Sequence, residues 1–188
     1  IEGVRFAEPK LKIMGIEAVK SSTPAPCRTM IKDALKLIMG GTEDDVINYI
    51  DKMRSDFKKM DPSLIAFPRS CNNVDKYHSN FSIYSKGTPI HVRGALLHNH
   101  YVKKNVLESK YSYINNGDKI KFCYLSKPNP IRENVISFMG ELPTELGLNQ
   151  YIDYTLMFDK SFVEPLKAVL DAIGWSVERH ATLESFFT

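Results

Sequence analysis

Two apolar stripes joined by a Gly-Gly pair limit the possible folds of this chain more than any other feature. We expect Thr23 to cap a first helix, Pro24 to be its first residue and Gly40-Gly41 to end it. Behind Pro24, apolar residues recur at intervals of three and four, the spacing of one buried helix face: Cys27, Met30, Ile31, Ala34, Leu35 and Ile38. A second stripe follows at once, so the two helices should pack as an antiparallel hairpin.

The second helix has its own start signal. Thr42 stands at the capping position, and Glu43, Asp44 and Asp45 fill the first turn, where carboxylates suit the helix dipole. Its buried face should consist of Val46, Tyr49, Ile50, Met53, Phe57 and Met60. An acidic triplet could also bind a metal ion, but capping explains these residues without one, and it is the interpretation that we favour.

The rest of the chain mixes helix and strand periodicities, which predicts an α+β fold led by helices. Residues 63–86 are predicted as loop with short elements. Strands are predicted over 10–20, 110–114, 119–125 and 134–138, with a turn joining the second to the third.

Two more helices are predicted, a shorter one over 89–104 and a long C-terminal one over 150–173. Pro165 should kink or split the long helix, and Gly174 should stop it. Its apolar side should consist of Phe158, Phe162, Leu166, Val169, Leu170 and Ile173.

Length and composition limit the class of protein. With 188 residues, 43% of them hydrophobic, the chain can form one domain with a buried core. No apolar run reaches the roughly 18 residues that cross a membrane, and the first residues mix charged with apolar side chains, unlike a secretory leader.

The three cysteines are far apart and odd in number, which predicts free thiols and a cytoplasmic setting. Because the first residue is Ile1 rather than Met, we expect a piece of a longer protein.

Formal charge is spread unevenly along the chain. Residues 1–60 carry a net charge of +2, residues 61–140 carry +6 with four of the five histidines, and residues 141–188 carry −5. A basic middle and an acidic end are expected if a polyanion contacts only the middle. A solvated surface of mixed sign is the alternative, and charge alone leaves both interpretations open.

Sequence motifs for catalysis are absent. The chain contains no P-loop, no Rossmann glycine pattern, no Gly-x-Ser-x-Gly, no Cys-x-x-Cys and no Asp-x-Asp. His98 and His100 are two residues apart on a predicted helix, which turns their rings to different faces and argues against a shared metal ion. We therefore predict neither catalytic residues nor metal ligands in this chain.

The segment from Pro9 to Pro24, PKLKIMGIEAVKSSTP, closely resembles the family B DNA polymerases of T-even-like bacteriophages, in which it leaves the palm and enters the thumb. Weaker similarities follow in the same order at 70–77, 89–97, 116–120, 153–156 and 162–166. The resemblance implies a strand leaving the palm over 1–20, a thumb domain over 21–178 and a tail over 179–188. The catalytic aspartates and two Mg²⁺ ions would lie in the palm of a parent DNA-directed DNA polymerase.

The same resemblance implies that the middle of the chain grips primer–template duplex DNA. Phosphate contacts hold a duplex without reading its sequence. A structural alternative is that Ser70 to Asn73 only form a turn and that Arg93 belongs to an ion pair. The positions that match the family's duplex contacts are Lys12, Lys20, Ser21, Ser22, Arg69, Ser70, Asn72, Asn73, Lys76, His91 and Arg93.

The last residues resemble the peptide by which polymerases dock on sliding clamps. That pattern is Gln, two spacers, an aliphatic residue, two spacers and two aromatics; here the four positions are His180, Leu183, Phe186 and Phe187, with histidine in place of Gln. One 3₁₀ turn brings the aliphatic residue and the first aromatic to the same side, as a plug for an apolar pocket. The alternative is that these aromatics pack back onto the core.

We therefore expect the non-catalytic thumb of a phage-type polymerase, monomeric and located in the cytoplasm of the bacterial host. Its partners would be duplex DNA, a sliding clamp and the other domains of the parent enzyme. Two further interpretations stay open. One is a stand-alone duplex-binding or processivity protein with the same tail, and the other is a protein-binding adaptor whose basic middle faces an acidic partner.

Overall fold

The helical hairpin lies at the start of the range that the structure, a computed structural model, describes, which is residues 20–179. α1 (Ala25–Gly40) and α2 (Glu43–Phe57) are joined by Gly41 and Thr42 and pack against each other. The predicted apolar stripe of α1 is buried, except for Ile38, which is half-buried. The hairpin prediction is confirmed, whereas the strand predicted over 10–20 lies outside the described residues apart from its last position.

Thr42 caps α2 as predicted. The Asp45 backbone N–H donates to Thr42 Oγ1 (3.3 Å), and the Thr42 backbone N–H donates to Asp45 Oδ2 (2.8 Å). The bond from the Thr42 N–H, together with one that the Thr42 hydroxyl donates to the same Asp45 oxygen (3.0 Å), holds the pKa of the Asp45 carboxyl below its usual range, because both favour the charged form. The capping interpretation of the acidic first turn is thus confirmed for Asp45.

The start of α1 differs from the prediction by one residue. Helical geometry begins at Ala25, and Pro24, with φ −54° and ψ 140°, is the residue before the helix. Thr23 is 3% exposed, and its N–H donates to the Lys20 carbonyl in a turn (3.2 Å). Thr23 therefore lies one position too early to cap α1 and is part of the buried interior instead.

An antiparallel sheet of three strands connects the two halves of the described chain. β1 (Phe67–Ser70), β2 (Lys119–Tyr124) and β3 (Val135–Phe138) lie in that order. The second and third strands confirm the predictions over 119–125 and 134–138. The first lies in the stretch predicted as loop with short elements, which also forms the one-turn helices α3 (Pro62–Ile65) and α4 (Val74–Tyr77).

The strand predicted over 110–114 is wrong, because this stretch is irregular. The side chain of Asn99 replaces the partner strand: its Oδ1 accepts from the Ile114 N–H (2.7 Å), and its Nδ2 donates to the Ile114 carbonyl (2.9 Å). Asn99 belongs to α5 (Ile90–Lys104), which confirms the helix predicted over 89–104. The predicted strand–turn–strand does not form, since β2 pairs with β1 and β3 instead.

The long C-terminal helix is confirmed, with a later start and an irregular middle. It consists of α6 (Tyr154–Phe158), a π-helical turn (Asp159–Val163) and α7 (Glu164–Ala172). Ile152 is not part of the helix because it forms an isolated antiparallel bridge with Leu125. The wide turn ends two residues before Pro165, and the missing N–H of this proline interrupts regular helical pairing.

One residue that was predicted to be buried at the end of this helix is exposed instead. Ile173 is 48% exposed, because α7 ends at Ala172 and the chain reverses at Gly174, where φ is +75°. The Trp175 N–H donates to the Leu170 carbonyl (2.9 Å), which is the hydrogen bond of a Schellman cap. Of the other predicted apolar residues, Val169 is half-buried and the rest are buried.

Two apolar clusters surround the sheet. The larger one joins α1, α2 and the C-terminal helix to the strands. At its centre, the Phe158 ring lies 5.3 Å from that of Phe57 and 5.1 Å from that of Phe162, measured between centroids. The smaller cluster lies between α4, α5 and Ile114. All three cysteines are buried as free thiols, and no helix within residues 20–179 is both long and apolar enough to cross a membrane.

Candidate nucleic-acid interface

Arg69 holds the first described residues against the edge strand β1. Its Nη1 donates to the carbonyl oxygens of Ser22 and Pro68, at 2.7 Å each. Its guanidinium carbon lies 5.3 Å from the ring centroid of Phe122 and 5.7 Å from that of Phe67, within the range of a cation–π contact. Arg69 therefore fixes the backbone at Ser22 relative to the sheet.

Two lysines of β2 lie beside β1. In the antiparallel register Ser70 pairs with Lys119, and Pro68 pairs with Lys121, so these four residues share one face of the sheet. Lys119 Nζ donates to Ser70 Oγ, and Lys121 Nζ donates to the Ser63 carbonyl, both at 2.8 Å. Each ammonium group has three protons, so each keeps donors for a further ligand after this hydrogen bond.

These residues line a groove of about 380 Å³, which we call the basic groove. It brings together four of the predicted DNA contacts, namely Ser21, Ser22, Arg69 and Ser70. Two lysines and three apolar residues complete the lining: Pro68, Lys119, Ile120, Lys121 and Gly140. None of these lining residues is acidic. Lys119, Lys121 and Ser70 share one face of the sheet, whereas Arg69 occupies the alternating position and packs on the rings of Phe67 and Phe122. The basic groove therefore suits an anionic ligand.

A second groove, of about 320 Å³, adjoins the basic groove at Ser22 and Arg69. Its lining includes Lys160 and the carboxylate of Glu164. Lys160 Nζ lies 5.6 Å from the ring centroid of Tyr124. Because this groove contains a carboxylate, it is the weaker candidate for phosphate.

Sequence reasoning misses Lys119 and Lys121. The alternation Lys119-Ile120-Lys121 within a predicted strand indicates two cations on one face, but it does not show what lies next to them. The neighbour is β1, which contains Pro68. Proline within an apolar run argues against a strand unless the strand lies at a sheet edge, so the sequence pattern does not predict β1.

The predicted contacts Asn72, Asn73 and Lys76 are exposed and follow β1 outside the basic groove. Asn73 has a left-handed backbone, with φ +60°. The Gly117 N–H donates to the Cys71 carbonyl (2.7 Å), which ties this turn to the loop before β2. Asn73 thus has the geometry of a turn former, and the DNA contacts of all three residues stay predictions.

His91 and Arg93 are half-buried in the first turn of α5. Burial lowers the pKa of His91, and the charge of Arg69 lowers it further, so both favour the neutral imidazole. Arg93 lies 4.0 Å from Glu133 in an ion pair and 5.6 Å from the centroid of Tyr84, whose hydroxyl donates to Glu133 (2.7 Å). This matches the structural alternative for Arg93, and its contact with DNA stays a prediction.

Lys20 is exposed and adjoins the basic groove through Ser21. Lys12 and the four predicted clamp-binding residues, His180, Leu183, Phe186 and Phe187, lie outside the described residues.

The last described residues are held against α2. The Ser176 N–H donates to Glu43 (2.6 Å), and Arg179 hydrogen-bonds Asn48 and lies 3.9 Å from Asp51.

The described residues do not provide a metal site of the usual kind. Within residues 20–179, no three side chains of His, Cys, Asp or Glu lie close enough together to hold an ion. His98 is 2% exposed, whereas His100 is exposed, so the two rings lie in different environments, as their spacing predicts. The residues present here therefore do not fit the two Mg²⁺ ions that a polymerase palm would hold.

Comparison with curated proteins shows that the chain is a relative of bacteriophage DNA polymerases. It is 30% identical over 191 aligned residues, and over its whole length, to the DNA-directed DNA polymerase of Enterobacteria phage T4. It has the same identity and coverage with the DNA-directed DNA polymerase of Escherichia phage RB69. No protein-family model matches the chain.

The resemblance to T-even-like polymerases is therefore confirmed, and this chain is related to one segment of a T4-like polymerase. It spans about a fifth of the length of the curated relatives that it matches, 21% of each.

Proposed function

We propose that this domain is the thumb of a T4-like DNA polymerase and that it grips the backbone of primer–template duplex DNA through the basic groove. The observation that carries the proposal is a groove with three cations, three serines and no carboxylate in its lining. The relationship to two DNA-directed DNA polymerases makes duplex DNA the polyanion that this groove would bind.

The groups in the basic groove suit phosphate rather than bases. Lysine ammonium groups act as point charges that do not depend on base identity, and serine hydroxyls donate to phosphate oxygens. Lys119 is exposed and Lys121 is half-buried, so both can meet a ligand from solvent without first breaking a salt bridge of their own. A replicative enzyme needs this kind of binding, which holds every sequence equally.

The activity of the whole polymerase is also a proposal. We assign nucleotide addition and its two Mg²⁺ ions to the palm of the parent enzyme, which would be a partner of this domain. The residues described here would hold and orient the duplex, and no chemical step is assigned to them.

Salt-dependent binding of duplex DNA tests the basic groove. The log of the association constant should fall linearly with log salt, with a slope of about −0.9 per neutralised phosphate. Replacing Lys119 or Lys121 by alanine should reduce that slope by about one unit each, and so should Lys20→Ala. The measurement is fluorescence anisotropy of a labelled primer–template duplex, titrated with the full chain at several salt concentrations.

The double variant Lys52→Ala/Lys58→Ala, here called the α2 variant, is the matched control, because it removes the same charge from one exposed position on α2 and from the exposed residue that follows this helix. It should keep nearly the whole slope. If the α2 variant loses as much slope as Lys119→Ala/Lys121→Ala, binding is unspecific attraction to a basic protein. If no duplex binds at low salt, the thumb function is wrong, and a protein-binding adaptor becomes the better interpretation.

We further propose that residues 180–188 dock on a sliding clamp. The support is the pattern of Leu183, Phe186 and Phe187 in the sequence, together with the contacts that hold the chain against α2 just before it. Replacing both phenylalanines by alanine should abolish binding to a phage sliding clamp, since each buried ring contributes about 1.5–3 kcal/mol. Calorimetric titration with the clamp would show this loss, and the affinity for duplex DNA should stay unchanged. Equal clamp affinity in parent and variant would show that the tail is not the clamp-binding segment.

A further inference from the structure

A groove of about 900 Å³ lies over α5 and is separate from the basic groove. We call it the aromatic groove and define it by six of its lining residues: His78, Asn80, Phe81, His100, Lys103 and Tyr113. The Phe81 side chain is 101% exposed, and Tyr113 is 38% exposed. A single exposed ring is ordinary on a protein surface, but two exposed rings in one groove present a pair of aromatic surfaces to a ligand.

Hydrogen bonds hold both sides of the aromatic groove. On the Phe81 side, the Phe81 N–H donates to Ser79 Oγ (3.3 Å), and the Ser85 N–H donates to the Tyr77 carbonyl (2.9 Å). On the Tyr113 side, the two hydrogen bonds between Asn99 and Ile114 fix the next residue of the chain. Phe81 is therefore presented to solvent by a structured loop.

The polar groups of the aromatic groove include one lysine, one free amide and one exposed carboxylate, that of Asp75. Lys103 supplies a positive charge, and Asn80 supplies an amide with both donors and an acceptor. The Asp75 carboxylate in the lining accepts a hydrogen bond from Asn116 Nδ2 (2.8 Å). Exposed aromatic rings next to amides and a lysine form the combination that holds unpaired nucleotides, whose bases stack on rings while their phosphates meet cations.

We propose that the aromatic groove binds an unpaired nucleotide of a single strand, with its base stacked on Phe81 and its phosphate near Lys103. A volume of about 900 Å³ is within the range of small-molecule sites in proteins. The inference goes beyond duplex gripping, because a base in a duplex is not free to stack on a side chain.

The two grooves are close along the chain. Ser70 lines the basic groove and Val74 lines the aromatic groove, and four residues span at most about 14 Å. This distance corresponds to roughly four base-pair steps of 3.4 Å. A strand that leaves a duplex held at the basic groove could therefore reach the Val74 edge of the aromatic groove within a few nucleotides; this connection alone rests on the proposed function.

Binding of a single strand of about 12 nucleotides tests the proposal. Labelled oligo(dT) and oligo(rU) are titrated with the full chain, since unpaired DNA and RNA offer the same stacking surface. Phe81→Ala should weaken binding roughly 5- to 100-fold. Phe81→Tyr keeps the ring and should retain affinity, whereas Phe81→Leu keeps apolar bulk without a ring and should lose it. Met39→Ala, at an exposed methionine on α1 (63% exposed), is the control and should bind as the parent does.

Ultraviolet cross-linking gives an independent readout. Irradiated complexes should yield an oligonucleotide adduct on the tryptic peptide of residues 77–86, which contains Phe81. Full affinity of Phe81→Leu for these oligonucleotides would show that no base stacks on the Phe81 ring and would overturn the proposal, as would the absence of any single-strand binding at low salt. Duplex binding separates the two proposals, because it should depend on Lys119 and Lys121 and be unchanged in Phe81→Ala.

Discussion

Replacing Gly94 by alanine should lower the free energy of unfolding by about 3 kcal/mol. Gly94 is buried in α5, which packs against β3. A Cβ at this position would lie 2.7 Å from the Ser137 backbone nitrogen and 3.1 Å from the Ile136 carbonyl carbon, and closer still to Ser137 Oγ. Because two of these atoms belong to the backbone of a strand, no side-chain rotation relieves the contact, and helix and sheet must separate.

Urea denaturation of the full chain measures this loss as a shift of the midpoint at unchanged slope. Gly40→Ala is the matched control, since a Cβ there meets nothing within 4 Å, and it should change stability by less than about 0.5 kcal/mol. The double variant Gly94→Ala/Ser137→Ala should recover only part of the loss, because the backbone contacts remain. An unchanged midpoint in Gly94→Ala would show that α5 does not pack on β3 this closely.

Replacing Asn99 by leucine should also destabilise the protein by about 3 kcal/mol, by a different route. The Asn99 amide satisfies both the N–H and the carbonyl of Ile114, which is 1% exposed. Leucine has a similar volume but leaves two buried backbone groups without partners, and each such group costs about 1–3 kcal/mol. The measurement is again the urea midpoint, together with amide hydrogen exchange, in which Ile114 should lose its protection first.

Asn149→Leu is the control for this variant, because Asn149 is exposed and the same change there should be nearly neutral. A loss of stability spread evenly over all amides would contradict a local role for Asn99. Normal protection of Ile114 in Asn99→Leu would contradict it more directly.

Asn99 also explains why the strand predicted from the sequence over 110–114 is wrong. Residues 110–114 have the alternation of a half-buried strand, and local pattern cannot reveal that a side chain from α5 takes the place of a neighbouring strand. Elements whose signals are local were predicted well. The Gly-Gly hairpin, the Thr42 cap and the helix behind Pro89 all depend on neighbours within a few residues, and all three are confirmed.

The residues of the candidate site also differ in whether the sequence alone could identify them. Ser21, Ser22, Arg69 and Ser70 were found through a resemblance, and the fold brings them to one groove. Lys119 and Lys121 join them only through the pairing of β1 with β2, a contact between segments about fifty residues apart that no periodicity encodes. Whether any of these residues contacts DNA stays a prediction, which the salt titrations above decide.

The bond between Arg69 and Ser22 has a mechanical consequence. A force applied to the backbone at Lys20 passes through a planar guanidinium into the edge strand, rather than only along the turn that leads into α1. Lysine at position 69 could not replace this link, because a compact ammonium, although it has three donors, cannot hydrogen-bond the two carbonyls and also lay a flat cation over two rings. When the domain is pulled or rotated from this end, the Ser22 backbone and β1 should move as one rigid lever.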